Sequence, residues 1–210
     1  MTPQAALDRG LGELALALPD GASGKLMSYL DLLAKWNRIY NLTAIRDPLR
    51  AVSHHLLDSL AVLGELSDRA GALADVGSGG GLPGIPIAIA EPARPVTLND
   101  ASETKGAFLR QAVIELGLAN ATVHVGRVED WHPAEGFAVV ISRGFASLVD
   151  FLAGCRHLVA PAGVLAAMKG VYPGDELAQV PADCDCREVR RLKVPMLAAE
   201  RHLVLCRIGS

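Results

Sequence analysis

The segment Asp75-Val76-Gly77-Ser78-Gly79-Gly80-Gly81-Leu82-Pro83-Gly84 holds five glycines in ten residues. Glycines in such a run allow positive φ and let a backbone approach a ligand closely. Gly79-x-Gly81-x-x-Gly84 matches the spacing of a dinucleotide loop, but Pro83 stands where the helix should begin. Asp75 gives the same segment a second pattern, Asp-x-Gly-x-Gly-x-Gly. A carboxylate at that point favours a cationic ligand and repels a pyrophosphate. S-adenosyl-L-methionine, with its ammonium and sulfonium, has the right sign; NAD, with its diphosphate, has the wrong one. Two more carboxylates, Asp100 and Glu129, end the next two apolar runs. In a doubly wound sheet an acidic side chain at the end of the second strand reaches ribose hydroxyls. Asp75, Asp100 and Glu129 are therefore expected to line one crevice beside the glycine loop.

The elements that would carry these residues can be read from apolar spacing. Met27, Leu30, Leu33, Trp36 and Tyr40 repeat at helical period. Asp47-Pro48 opens a second helix, expected to run to Leu66 with Val52, Leu56, Leu60 and Leu63 on one stripe. No strand pattern precedes residue 70. From Ala72 onward short apolar runs alternate with helical stretches. Strands are expected at 72–76, 95–98, 122–125, 137–142 and 163–168, with helices at 85–90, 102–116 and 148–158. This alternation predicts an α/β fold with a mostly parallel sheet and helices on both faces. Two last strands, near 188–194 and 202–208, have no long helix between them and are expected to pair antiparallel. The division is thus 1–70, a helical extension packed on the core, and 71–210, the sheet domain.

Composition excludes several classes. The 210 residues are 50% hydrophobic and 20% charged, which suits a packed core and not a disordered chain. No apolar run reaches the roughly 18–20 residues needed to span a bilayer. The first residues carry no basic region of a secretory signal. The net charge of −3 is the wrong sign for a protein that coats nucleic acid unselectively, so any such contact must be a local patch. Four cysteines do not make a disulfide scaffold, and Cys184-x-Cys186 is too short for a zinc knuckle. Reduced thiols and no metal are expected, in a cytoplasmic monomer. Aromatic residues make up only 4% of the chain, too few for a broad stacking platform. Trp36 and Tyr40 are expected in the core of their helix, His54 and His55 on a helix surface; Phe145 is open to packing or to stacking on a base.

Eight ordered blocks between residues 36 and 203 resemble the ribosomal small-subunit methyltransferase G family. They are Trp36-Asn37 with Asn41–Ile45, His55–Ser59, Asp75–Pro86, Phe108-Leu109 with Glu115–Leu118, Gly126–Glu129, Ser142–Leu148, Met168–Gly170 and Glu200–Leu203. The resemblance implies a class I S-adenosylmethionine-dependent methyltransferase, with a Rossmann-like sheet of seven strands and an N-terminal helical extension. It implies methylation of guanine N7 in the decoding-region loop of 16S rRNA, the partner being this RNA or the small ribosomal subunit. It implies cofactor contacts at Gly77, Leu82, Val128, Glu129 and Arg143. With Asp75, Ser78, Gly79 and Asp100 these make up the candidate cofactor set. One position departs from the family pattern: after Asp100 the family shows two adjacent basic residues, and here Thr104 precedes Lys105.

Guanine N7 offers a lone pair and no proton. No general base, metal or covalent intermediate is needed, and the enzyme's task is alignment, with Arg143 the expected positioning residue. Candidate RNA contacts are Arg127, Lys169 and Arg201, each beside an expected strand end. The run Arg187, Arg190, Arg191, Lys193 suits a solvated strand face as well as an RNA patch. The rival classes are a methyltransferase with another substrate, a dinucleotide-dependent oxidoreductase and a non-catalytic RNA-binding factor.

Overall fold

The computed structural model describes residues 1–209; Ser210, at the end of the expected 71–210 unit, lies outside the described residues. The N-terminal part is helical. Helix α1 (Pro3–Glu13) starts on Thr2, whose hydroxyl accepts from the Ala5 N–H, and α2 (Ala22–Tyr40) ends at Asn41 in the left-handed region. The strands are β1 (Leu73–Val76), β2 (Val96–Asp100), β3 (Ala121–Val125), β4 (Phe137–Arg143), β5 (Val159–Lys169), β6 (Cys184–Arg191) and β7 (His202–Ile208). They form one seven-stranded sheet in the order β3-β2-β1-β4-β5-β7-β6. The first five are mutually parallel, and β7 runs antiparallel between β5 and β6. The expected terminal hairpin forms, and its second strand is inserted next to β5.

Alternation along the strands sorts the side chains into two cores. Leu73, Leu98, Val139, Ile141 and Ala166 share one buried cluster with α1, α2, α5 (Gly84–Ala90) and α6 (Glu103–Glu115). Ala74, Val76, Val140, Leu165 and Ala167 face α7 (Leu148–Cys155) through Phe151 and Leu152. Helices thus cover both faces, as strand–helix alternation requires. The N-terminal helices share the first core: Tyr29, Leu26 and Leu33 lie with Phe108 and Leu109 in one buried cluster. Trp36 packs edge-on to Phe108, with ring centroids 5.6 Å apart. Tyr40, expected in the core, stacks on Trp36 from outside and is 48% exposed.

The helix expected over 48–66 is broken. Helix α3 (Pro48–Ala51) passes into a π-helical turn (Val52–Leu57), a short α4 (Asp58–Leu60) and a 3-10 turn (Gly64–Leu66). The cause is local. In an α-helix the Asp58 N–H would donate to the His54 carbonyl. That carbonyl is taken by the Arg143 guanidinium at 2.9 Å, and the Asp58 N–H goes to Ser53 and His55 instead. A side chain entering the ladder is a known cause of such irregularity, and π turns concentrate at functional sites.

The cysteine expectation is corrected. Cys186 and Cys206 are joined in a disulfide, while Cys155 and Cys184 are free. Antiparallel pairing of β6 with β7 brings the two Cα atoms to 4.1 Å on the same core face. Sequence spacing alone does not show that neighbourhood.

Phe108 ties α6, the sheet and the helical extension together with no exposed surface. Phe108→Ala is expected to lower the unfolding free energy by about 3–5 kcal/mol. Urea denaturation followed by both tryptophan fluorescence and circular dichroism should keep one coincident transition, because the extension and the sheet share a core.

Candidate functional site

Strands β2 and β3 lie on one side of β1, and β4 lies on the other. The carboxyl ends of β1 and β4 therefore flank the switch point at which open α/β sheets bind ligands. Ser142 at the end of β4 donates to the Val76 carbonyl at 2.8 Å and holds the two strand ends together.

The glycine loop is fastened from below. Asp75 is fully buried. Its Oδ2 accepts from the Ser78 hydroxyl at 2.6 Å and from the Gly84 N–H at 2.8 Å, so the loop folds back on its own strand. Oδ1 has no partner. Burial pushes the Asp75 carboxyl up to about 6, against the pull of these hydrogen bonds and of Arg143. A Cβ on Gly84 would collide with Leu98 and the Asp75 carboxylate, so that position must be glycine. From the other side, buried Tyr29 on α2 donates its hydroxyl to the Gly80 carbonyl at 2.5 Å. Burial raises the Tyr29 phenol well above its ordinary value, so it stays a donor. Tyr29 is a site residue that the helical periodicity of α2 concealed.

The crevice above the loop is lined by Val76, Gly77, Asn99, Asp100, Ala101, Gly126, Arg127, Val128, Glu129 and Phe145, and has a volume of about 240 Å³. Gly77 has φ +67°, and a Cβ there would meet nothing within 4 Å. The loop thus leaves room for a ligand at that point. Asp100 joins the two loops: Oδ2 accepts from the Gly79 N–H and Oδ1 from the Ser102 N–H, each at 2.9 Å. A carboxylate has about four acceptor positions, so capacity for ribose hydroxyls is left. Asn99 donates to the Gly126 carbonyl at 3.0 Å and fixes the turn before Val128.

Of the candidate cofactor residues, the crevice brings together Gly77, Asp100, Val128 and Glu129. Gly79 and Leu82 belong to the loop behind it. Asp75 and Ser78 do not line it, which corrects the expectation of three carboxylates in one wall. The structure turns Asp75 inward because the Ser78 hydroxyl and Gly84 N–H need an acceptor. Its charge acts on the crevice only through the field, where low dielectric keeps the effect large. The residues present fit S-adenosyl-L-methionine: open space at Gly77, the Asp100 carboxylate for ribose hydroxyls, and the buried Asp75 carboxylate beneath.

A second pocket of about 430 Å³ adjoins the crevice, with Phe145 in the wall of both. Ile45, His54, His55, Asp58, Arg143, Gly144, Met168, Lys169, Gly170 and Arg201 complete it. Arg143 lies here and not in the cofactor crevice. Asp58, 1% exposed, receives Arg143 on Oδ2 and Arg201 on Oδ1, both at 3.0 Å. Lys169 is paired with Glu176 at 2.8 Å, and the same carboxylate accepts from the Leu148 N–H. Arg127 stands apart, exposed at the rim of the cofactor crevice and paired with Glu129 at 3.2 Å. In the C-terminal basic run, Arg187, Arg190 and Arg191 pair with Asp185, Glu188 and Glu200, so three of its four cations are already engaged. His55, expected on a surface, is 4% exposed; burial and then Arg143 push it down to about 4, so it is neutral. Its Nε2 lies 2.9 Å from the Thr43 hydroxyl. Phe145 packs on Phe151 with centroids 5.3 Å apart.

The sheet order and the crevice define a class I methyltransferase fold. A solved S-adenosylmethionine-dependent methyltransferase from Thiobacillus denitrificans, in complex with S-adenosyl-L-homocysteine, shares it with a TM-score of 0.55 and 12% identity. The match covers 85% of this chain and 97% of that one. The family profile described as rRNA small subunit methyltransferase G matches residues 22–204. The ribosomal RNA small subunit methyltransferase G of Laribacter hongkongensis is 52% identical over 198 residues, 94% of this chain and 95% of that protein. That of Aromatoleum aromaticum is 52% identical over 205 residues, 96% and 97% of the two chains. The chain belongs to the rRNA small subunit methyltransferase G family, and it is an S-adenosylmethionine-dependent methyltransferase. The oxidoreductase and non-catalytic readings fall with this. Among the described residues no cluster could hold a metal ion, and no helix is long and apolar enough to cross a membrane.

Asp75 has a folded pKa above its unfolded value, so the folded state holds the proton more tightly. The penalty for ionised Asp75 is full above about pH 6 and absent below about pH 4. His55 acts oppositely over nearly the same window, losing stability as pH falls below its unfolded value. A variant comparison separates them. Relative to the parent, Asp75→Asn should become less favourable by on the order of 3 kcal/mol between pH 7.5 and pH 4. Urea denaturation at both pH values measures this.

Proposed function

We propose that this enzyme methylates N7 of a guanosine in the decoding-region loop of 16S rRNA, within the small ribosomal subunit or its assembly intermediate. The observation that carries the reading is the shared Phe145 wall, which sets the cofactor crevice directly against a cation-lined pocket. The names of the relatives point to small-subunit RNA. The ribosomal substrate makes the cytoplasm its place of action, and the chain is taken to act as a monomer.

S-adenosyl-L-methionine supplies an electrophilic methyl group on a sulfonium. Guanine N7 attacks with a lone pair, so the protein need not remove a proton. The pocket agrees with that demand. Its one carboxylate among the described residues, Asp58, is held by two guanidiniums, and His55 is bonded to Thr43. Neither is placed as a base. Arg143 has one terminal nitrogen committed to His54 and Asp58, which anchors it in the wall of the pocket. Gly77 and Asp100 hold one reactant, Phe145 and the basic pocket the other, and correct alignment can contribute about 7–11 kcal/mol to lowering the barrier. Val128 borders the adenine side of the crevice, and Glu129 and Arg127 close its rim.

Small subunits from cells that lack this modification, incubated with enzyme and methyl-labelled cofactor, provide the test. The expected product is one label per subunit, in the small-subunit RNA, at a guanosine that becomes sensitive to borohydride and aniline cleavage. Label at a site that resists this N7-specific cleavage, or on ribosomal protein, would contradict the reading.

A further inference from the structure

We propose that Arg143 and Arg201, yoked by the buried carboxylate of Asp58, form a phosphodiester site in the acceptor pocket, with Asp58 as its positioning residue. The inference rests on the RNA reading above and deepens it by assigning what those two arginines hold.

Three separate parts of the chain meet at this point. Asp58 follows the π-helical turn of the N-terminal extension, Arg143 ends β4, and Arg201 precedes β7. Asp58 spends one oxygen on each arginine, 3.0 Å to Arg143 and 3.0 Å to Nε of Arg201. The remaining anchors are backbone carbonyls: His54 takes Arg143 at 2.9 Å and Glu200 takes Arg201 at 2.8 Å. The carboxylate is 2% exposed at its side chain, whereas Arg143 and Arg201 keep 24% and 23%. The anion is sealed beneath, and the two cations show their outer edges to the pocket.

The charge count favours an anionic guest. Two guanidiniums share one carboxylate and so retain one net positive charge. Lys169 adds little, being neutralised by Glu176. His54 and His55 are both pushed down from their ordinary values, His54 by burial and Arg50, His55 by burial and Arg143. Each guanidinium has five donors and uses only some of them here. Paired planar forks of this kind suit phosphate oxygens. Arg127, Lys169, Arg187, Arg190 and Arg191 are each held in an ion pair, and Lys193 lies outside this pocket, so the yoked pair carries the charge of the pocket.

A carboxylate beneath two arginines makes the direction of effect informative. If charge alone mattered, Asp58→Asn would add a positive charge and tighten RNA binding. If Asp58 works by holding the guanidiniums in place, the same substitution weakens binding although the charge becomes more favourable. Methyl transfer to unmodified small subunits, measured across a range of potassium chloride concentrations, distinguishes the two. S-adenosylhomocysteine binding, by titration, reports whether the fold and crevice are intact. For Asp58→Asn we expect KM for the subunit raised at least about tenfold, with kcat changed less. S-adenosylhomocysteine affinity should stay within about twofold, and the salt dependence of KM should be shallower by about one phosphate contact. Arg201→Lys, which keeps the charge and removes the fork, should do the same in smaller degree, and it decides the matter if Asp58→Asn does not fold. A KM unchanged or lowered in Asp58→Asn, or an unaltered salt slope in both variants, overturns the proposal. A wild-type enzyme that binds S-adenosylhomocysteine yet methylates no subunit RNA overturns the reading on which it rests.

Discussion

A buried carboxylate at the end of the first strand sets the path of the loop on which the site depends. Asp75 has no exposed surface, so it must find donors in the chain. It finds the Ser78 hydroxyl and the Gly84 N–H on one oxygen. Closing those bonds within nine residues forces the chain into a tight arch. The arch needs positive φ at Gly77, and it needs the absence of a side chain at Gly84. The start of α5 and the opening at Gly77 are both consequences. Above its raised pKa of about 6 the ionised Asp75 carboxylate sets a negative charge beneath the crevice, a sign that suits a sulfonium and not a diphosphate.

The helical extension is part of this machinery. Tyr29 closes the loop from above, and Leu33 packs against Gly80. The extension also furnishes Asp58, His54 and His55 to the neighbouring pocket. There the coupling runs in both directions. Arg143 from the sheet captures the His54 carbonyl, and the helix responds with a π turn. Two buried carboxylates, Asp75 and Asp58, thus organise the two halves of the site. One shapes backbone and the other holds cations. Phe145 stands where the halves meet, its ring packed on Phe151.

Much of this could be read from residues alone, for physical reasons. Apolar alternation and the glycine loop report local structure, and the sheet, its parallel core and its crevice followed from them. Asp100, Glu129 and Gly77 are legible because each sits at a strand end or in the loop, where sequence position fixes spatial position; Val128 comes from the family resemblance alone. What was not legible depends on distant pairing. Tyr29 reads as one more apolar position on a helix until Gly80, 51 residues away, is placed against it. Asp58 reads as a helix residue until Arg143 and Arg201, 85 and 143 residues away, converge on it. The spacing of Asp75 places it in the loop but does not aim it, because a spacing pattern cannot tell a carboxylate that faces a ligand from one that ties its own loop. The disulfide between Cys186 and Cys206 was missed for the same reason: it follows from strand register and not from spacing.

The most direct measurement is isothermal titration of S-adenosylhomocysteine into the purified protein, beside Gly77→Val. Gly77 lies at φ +67° with open space where a side chain would project. Valine there would both strain the loop and fill the crevice. The expected result is saturable one-to-one binding by the parent protein and at least about a hundredfold loss in a folded Gly77→Val variant. No binding by folded parent protein at millimolar ligand, or equal binding by the valine variant, would show that the crevice at the ends of β1 and β2 is not where the cofactor sits.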